Sequence, residues 1–197
     1  NHRQALSADA RAQRSNLGGK GFTMAVSIRR ATDSDAAPLA VLAEQAFRQA
    51  FTQENSDADI NQHCEASFGS DKQKAEILDA NTVVLLAESG EQLAGYAQLH
   101  VCSPKACVRG KAPAELNRMY VLDAWHGRGV AQQIMSKVLD VLANEGRDVV
   151  WLGVWEHNAK AIRFYRKYGF SEVGEHAFYL GEDLQRDLIF ATTLSAI

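Results

Sequence analysis

The chain has 197 residues, 46% apolar and 23% charged, with 21 basic against 24 acidic side chains for a net charge of −3. That length suits one domain with a sizeable core. The weak negative balance excludes the electrostatic footprint of a nucleic-acid binder, and no apolar run reaches membrane-spanning length. Cys64, Cys102 and Cys107 lack the number and spacing of a disulfide framework or zinc site and read as reduced thiols in a cytoplasmic protein.

Residues 1–23 lack periodicity and read as a leader, expression-derived or disordered, ahead of a single domain over residues 24–197. Residues 26–30 read as a strand. A helix is expected over 34–49, where Ala36, Leu39, Leu42, Ala43 and Phe47 recur at helical spacing. A second helix is expected over 57–68, and a third over 71–78 with Ser70 as its cap. Residues 82–88 and 92–101 form a hairpin pattern around Ser89 and Gly90. A loop follows over 103–113, then a strand over 115–121 and the longest helix, 128–144, with Gly146 past its end. Residues 149–155 are nearly all apolar, as in a strand covered on both faces. A helix over 158–168 stops at Gly169. Strand segments 170–173 and 178–180 flank a bend at Gly174, and residues 181–185 turn the chain into a last strand over 188–194. The order predicts an α/β fold: a mixed, mostly antiparallel central sheet with helices on both faces.

Two patterns carry chemistry. Residues 126–131 read HGRGVA between a strand and a helix. Gly127 and Gly129 allow a tight turn, and the amides of Arg128, Gly129, Val130 and Ala131 stand at a helix start, where an anion binds. No GK[ST] follows, so this is no P-loop. The second pattern is Asn158 with Tyr165 in residues 158–170, NAKAIRFYRKYGF, seven positions apart along one helical face.

Together these residues resemble the GCN5-related N-acetyltransferase (GNAT) superfamily, whose cofactor motif is Gln/Arg-x-x-Gly-x-Gly/Ala. His126 through Ala131 occupy its six positions, with His126 departing from the usual first residue. The resemblance implies acetyl-CoA as acetyl donor, with its pyrophosphate on the loop amides and its pantetheine arm added like a strand beside Met119, Tyr120 and Val121. It implies that Asn158 contacts pantetheine and that Tyr165 is the general acid toward the departing thiolate. The Val121 amide is expected to stabilise the oxyanion. Residues 151–194 further resemble PaiA-like acetyltransferases, which implies a spermidine- or spermine-like acceptor.

For the base, Glu115 is the leading candidate. Strand alternation gives it the parity of Asn117, Met119 and Val121, with Tyr120 on the opposite side under a helix. Its distance from Val121, about 20 Å along an extended strand, favours action through water, with substrate orientation or a merely solvated strand end as the alternatives. Asn117 stands where some polyamine-acetylating relatives carry a carboxylate. His157 is a weaker base candidate. Glu44, Glu54, Asp57, Asp59, Glu182, Asp183 and Asp187 are candidate walls of a polycation groove. No histidine motif points to a metal. A small-molecule amine is the expected partner, and homodimerisation through a sheet edge is an expectation. Two other readings stand beside acetylation of a small amine: acetylation of a protein or peptide N-terminus, and a non-catalytic CoA-binding regulator.

Overall fold

In the computed structural model, residues 25–51, 56–180 and 183–194 are described. The expected leader, Glu54 and Glu182 lie outside them. Seven strands form one sheet in the order β1-β2-β3-β4-β5-β7-β6: β1 (Ser27–Arg30), β2 (Thr82–Ser89), β3 (Gln92–His100), β4 (Pro113–Val121), β5 (Val149–Trp155), β6 (Ser171–Leu180) and β7 (Asp183–Thr193). Every neighbouring pair is antiparallel except β4–β5. The helices are α1 (Ala36–Phe51), α2 (Asp57–Ser67), α3 (Ser70–Leu78), α4 (Val130–Asn144) and α5 (Ala159–Arg166). The mixed, mostly antiparallel α/β architecture read from the sequence is the observed one.

Strand alternation divides the apolar side chains between two layers. Leu85, Ala97, Leu99, Leu116 and Leu152 meet Val130, Ile134, Val138 and Leu142 of α4. On the other face Val84, Leu86 and Tyr96 lie under Leu39, Leu42 and Phe47 of α1 and Ile60 and Cys64 of α2. Each such buried side chain contributes about 1.5–3 kcal/mol. On that second face residues 101–112 cover the sheet beyond β4, where Val108 and Cys107 pack on Trp151, Ile189 and Ala191. The three thiols are free.

Several boundaries differ from expectation for local reasons. Gly69, with extended backbone, caps α3 and puts Ser70 inside the helix. Helix α4 begins at Val130 rather than at 128, because Gly127 and Gly129 hold φ of +73° and +80°, outside right-handed helical space. Gly146, at φ +69°, follows its end as expected. Asn158 caps α5 from outside the helix: its side chain accepts the Ala161 amide at 3.0 Å. Strand β6 does not break at Gly174, because a bulge between Glu172 and Gly174 absorbs the irregularity. Strand β7 begins at Asp183 rather than at 188.

Candidate active site

Strands β4 and β5 pair at only three positions, Pro113 with Val149, Ala114 with Val150 and Glu115 with Trp151. Beyond these they separate and leave a gap in the sheet. The β4 backbone facing it is free of β3: the Leu122 amide donates to the Ala94 carbonyl and the Tyr120 carbonyl faces Gly95. By alternation the N–H and C=O groups of Met119 and Val121 then point toward β5, across the gap. An extended chain carrying amides fits there as an added strand.

A bulge starts the separation. Arg118 pairs with Gln98 and Leu116 with Leu99, so Asn117 is the extra residue on β4. It is exposed and donates to the Gln98 side chain at 2.9 Å. The bulge overturns the expected parity of this strand: Met119 and Val121 join Ala114 and Leu116 in the α4-facing core, while Glu115 lies on the opposite face. There its Oε2 accepts from Ser103 at 2.9 Å and lies 3.3 Å from His100 Nδ1. Tyr120 packs under α1 as expected, edge-on to Phe47.

The loop at residues 126–129 sits at the open end of the gap. A Cβ added to Gly127 or Gly129 would meet no neighbour within 4 Å, so their requirement is the left-handed backbone and not space. Arg128 stacks its guanidinium 5.4 Å over Trp125. His126, the departure from the motif, turns back onto the strand end. Its Nε2 donates to the Val121 carbonyl at 2.9 Å, and its Nδ1 lies 3.4 Å from both Asp123 and Lys160. The ring thereby holds the strand end, while Lys160, from the first turn of α5, brings a second cation to the loop. Sequence reading missed Lys160, because only folding sets α5 beside residue 126.

Tyr165 packs into the core layer of α4, with its ring between Phe164 and Phe170. Burial, with Tyr120 as second cause, holds its hydroxyl well above the usual tyrosine range. Burial pushes Tyr120 itself up to about 12. The two rings belong to opposite layers. Both hydroxyls therefore keep their protons at neutral pH.

The other acidic candidates scatter. Glu44 is tied to Arg48, and Asp59 to the α2 cap Ser56. Asp57 lies in the first turn of α2, and Asp183 starts β7. His157 is mostly exposed and lies edge-on to Trp155. Asp187 is different. It pairs with Trp155 on one side and His176 on the other, on the face carrying Glu115. A cavity of about 580 Å³ is lined by its two strand neighbours, Trp155 and His176, together with His157, Arg186 and others, though not by Asp187 itself. Among the described residues no group of three His, Cys, Asp or Glu side chains could hold a metal ion.

The sequence profile of the Acetyltransferase (GNAT) family matches residues 42–170. An uncharacterized N-acetyltransferase of Mycobacterium tuberculosis is 32% identical over 162 residues, 82% of this chain and 99% of that protein. Among solved structures, the PaiA N-acetyltransferase of Thermoplasma acidophilum in complex with coenzyme A is similar with a TM-score of 0.68 at 18% identity, covering 86% of this chain and 99% of that one. The ribosomal-protein-S18-alanine N-acetyltransferase of Escherichia coli has a TM-score of 0.64 at 17% identity, covering 87% and 95%. Those two likenesses concern the fold. The family match covers most of the chain, includes the loop at residues 126–131 and Tyr165, and shows that the chain belongs to the GNAT acetyltransferase family.

Proposed function

We propose that this acetyltransferase moves the acetyl group of acetyl-CoA to a primary amine of a small molecule, of polyamine type, by direct attack in a ternary complex. The observation that carries this reading is the gap between β4 and β5, with backbone free of β3 on one side; in this reading the Tyr165 hydroxyl stands at its opening. The donor's pyrophosphate lies on the amides at residues 128–131 beside Arg128 and Lys160, and its pantetheine amides pair with Met119 and Val121. Asn158 spends its side-chain oxygen on the α5 cap and keeps its NH2 group for the pantetheine arm.

The chemistry then needs three things from the chain. The Val121 amide, directed into the gap, donates to the oxygen that becomes negative as the amine adds to the thioester carbonyl. Tyr165 gives its proton to sulfur as the C–S bond breaks. The acceptor approaches from the α1–α2 face, where Asp187 and Glu115 stand opposite Trp155 and Trp151. Four residues along the strand and two strands across put their α-carbons about 16 Å apart, a spacing that suits two separated ammonium groups of one acceptor. Glu115 is there the carboxylate that orients the far end of the substrate. The same reading takes a cytoplasmic setting, supported by the free thiols, and a homodimer, supported by the sheet edges β1 and β6.

The test is acetyl-CoA consumption, read by thiol release, across spermidine, spermine, short diamines, amino acids and peptide N-termini, with an acceptor-free control. Turnover greatest with the polyamines is expected. Preference for a peptide N-terminus would replace the acceptor, and binding without transfer to any amine would leave a CoA-binding regulator.

A further inference from the structure

Asp187 occupies an unusual position for a carboxylate. It lies on the next-to-last strand of the sheet, between Trp155 of β5 and His176 of β6. Its side chain folds across β5 over Gly153: a Cβ at residue 153 would stand 2.9 Å from Asp187 Oδ2. Glycine at 153 is what leaves room for the carboxylate there. The carboxylate is half-buried, and among the described residues it accepts no hydrogen bond and forms no ion pair. Its two cross-strand neighbours, Trp155 and His176, both line the 580 Å³ cavity. A desolvated, unpaired carboxylate is costly unless a ligand completes it.

Three other carboxylates nearby are engaged. Glu115 is held by Ser103 and His100, Glu76 by Arg118, and Glu156 by Arg186. His157 is mostly exposed on the loop after β5. His176 has its Nδ1 buried without a partner, and burial pushes its pKa down, so it faces Asp187 as a neutral ring.

We propose that Asp187 is the catalytic base of the acceptor side: it binds the ammonium of the incoming amine and takes its proton before attack. The inference rests on the acetyl-transfer reading above and adds the group that starts the reaction. One N–H bond of R–NH3+ breaks, and its proton goes to the Asp187 carboxylate, directly or through one water. The freed lone pair forms the C–N bond at the thioester carbonyl. Collapse of that adduct breaks the C–S bond, sulfur receives the Tyr165 proton, and Tyr165 is restored by the second proton leaving nitrogen. Asp187, which is only half-buried, returns its proton to solvent, so one proton is released for each acetyl group transferred.

Burial raises the carboxyl pKa to about 6, with Lys105 opposing. A base of that strength holds the correct charge at neutral pH while remaining a better acceptor than an exposed carboxylate. Among the described residues, the titratable groups set toward it are Lys105 from residues 101–112, Tyr120 from β4 and His176 from β6. Helix α2, which touches β6, adds no charge that acts on it.

The experiment compares the parent with Asp187→Asn on two primary amines, spermidine and 2,2,2-trifluoroethylamine, the second being neutral at the assay pH. For spermidine, kcat/KM is expected to fall about 100-fold or more, within the range of a lost general base, with acetyl-CoA affinity unchanged. The acid limb of the parent's kcat/KM profile, centred near pH 6, should vanish in the variant. With trifluoroethylamine, which needs no initial deprotonation, the loss should shrink to less than about tenfold. Gly153→Ala, which displaces the carboxylate without removing it, should lower kcat as well. Parent-like rates and profile in Asp187→Asn, or an equal loss on both amines, would overturn the role of Asp187 and leave acetyl transfer intact. Absence of transfer by the parent to any amine, with acetyl-CoA bound, would overturn both readings.

Discussion

A tyrosine whose hydroxyl is buried carries its proton through the neutral range, and that is the state a departing thiolate needs. Burial and the neighbouring Tyr120 put Tyr165 in that state, while Phe164 and Phe170 fix its ring. Tyr165→Phe keeps the ring contacts and removes only the proton. We expect kcat to fall about 100-fold, the scale of one general acid, with acetyl-CoA affinity unchanged by titration calorimetry. Equal kcat in the two proteins would end the general-acid role. Glu115 predicts the opposite pattern. Because Ser103 and His100 hold it at the paired end of the β4–β5 seam, Glu115→Gln should raise KM for spermine, leave a short monoamine unaffected and preserve the pH profile. A change in that profile would return Glu115 to the role of base. The loop glycines, Asn158 and Tyr165 were legible in the sequence because their meaning lies in spacing along one segment. Asp187 was legible only as one acidic residue among seven, because its meaning comes from strand neighbours 32 and 11 positions away in the chain.

Elements obey the same division between local and distant causes. All twelve strands and helices were readable in order, since alternation and helical periodicity are written into each segment. The bulges were not. Nothing in ELNRMY marks Asn117 as the residue that β3 leaves unpaired, yet that one residue transfers Glu115 to the acceptor face. A cap shows how local chemistry and fold can reinforce each other. Asp35, in the turn before α1, accepts from the Thr32 amide at 2.7 Å and from both Arg29 terminal nitrogens at 2.8 and 2.9 Å, while Arg29 Nε donates to Glu88 of β2. This ties the start of α1 to β1 and β2. The Arg29 guanidinium first, and the Thr32 groups after it, hold the Asp35 carboxyl well below the usual range. Its folded-state pKa is depressed, so the stabilisation is present above the unfolded value, near pH 4, and disappears as pH falls through the folded one. Asp35→Asn should therefore cost about 1–3 kcal/mol at neutral pH by denaturant titration, and the difference from the parent should narrow on acidification below about pH 4. A difference that stays constant with pH would assign the effect to packing rather than charge.

At the scale of the whole molecule, the sheet is two blocks joined at a narrow seam. Strands β1–β4 form one block and β5, β7 and β6 the other, and their shared ladder is three residue pairs long. Helices α4 and α5 pack into the same core layer and bridge the seam from one face, while residues 101–112 pack on β5 from the other. The open half of the seam leaves the backbone groups of Met119 and the Val121 amide without a strand partner, so it is a place where ligand binding and global stability are linked. Coenzyme A seated in the gap supplies hydrogen bonds that the unfolded chain does not form. At a concentration one hundred times its Kd it should stabilise the fold by about 2.7 kcal/mol, which for a domain of this size raises Tm by roughly 5–11 °C. The increment should be localised. Amide hydrogen exchange should slow most at residues 119–122 and 152–155, on the two lips of the gap, and at residues 128–131 of the loop. Spermidine alone should leave residues 119–122 and 128–131 unchanged, because its carboxylate partners lie on β7 and at the paired end of β4 and not along the loop. A rise in Tm without protection along the two lips would mean that coenzyme A binds elsewhere, and the reading of the gap as the donor site would fall with it.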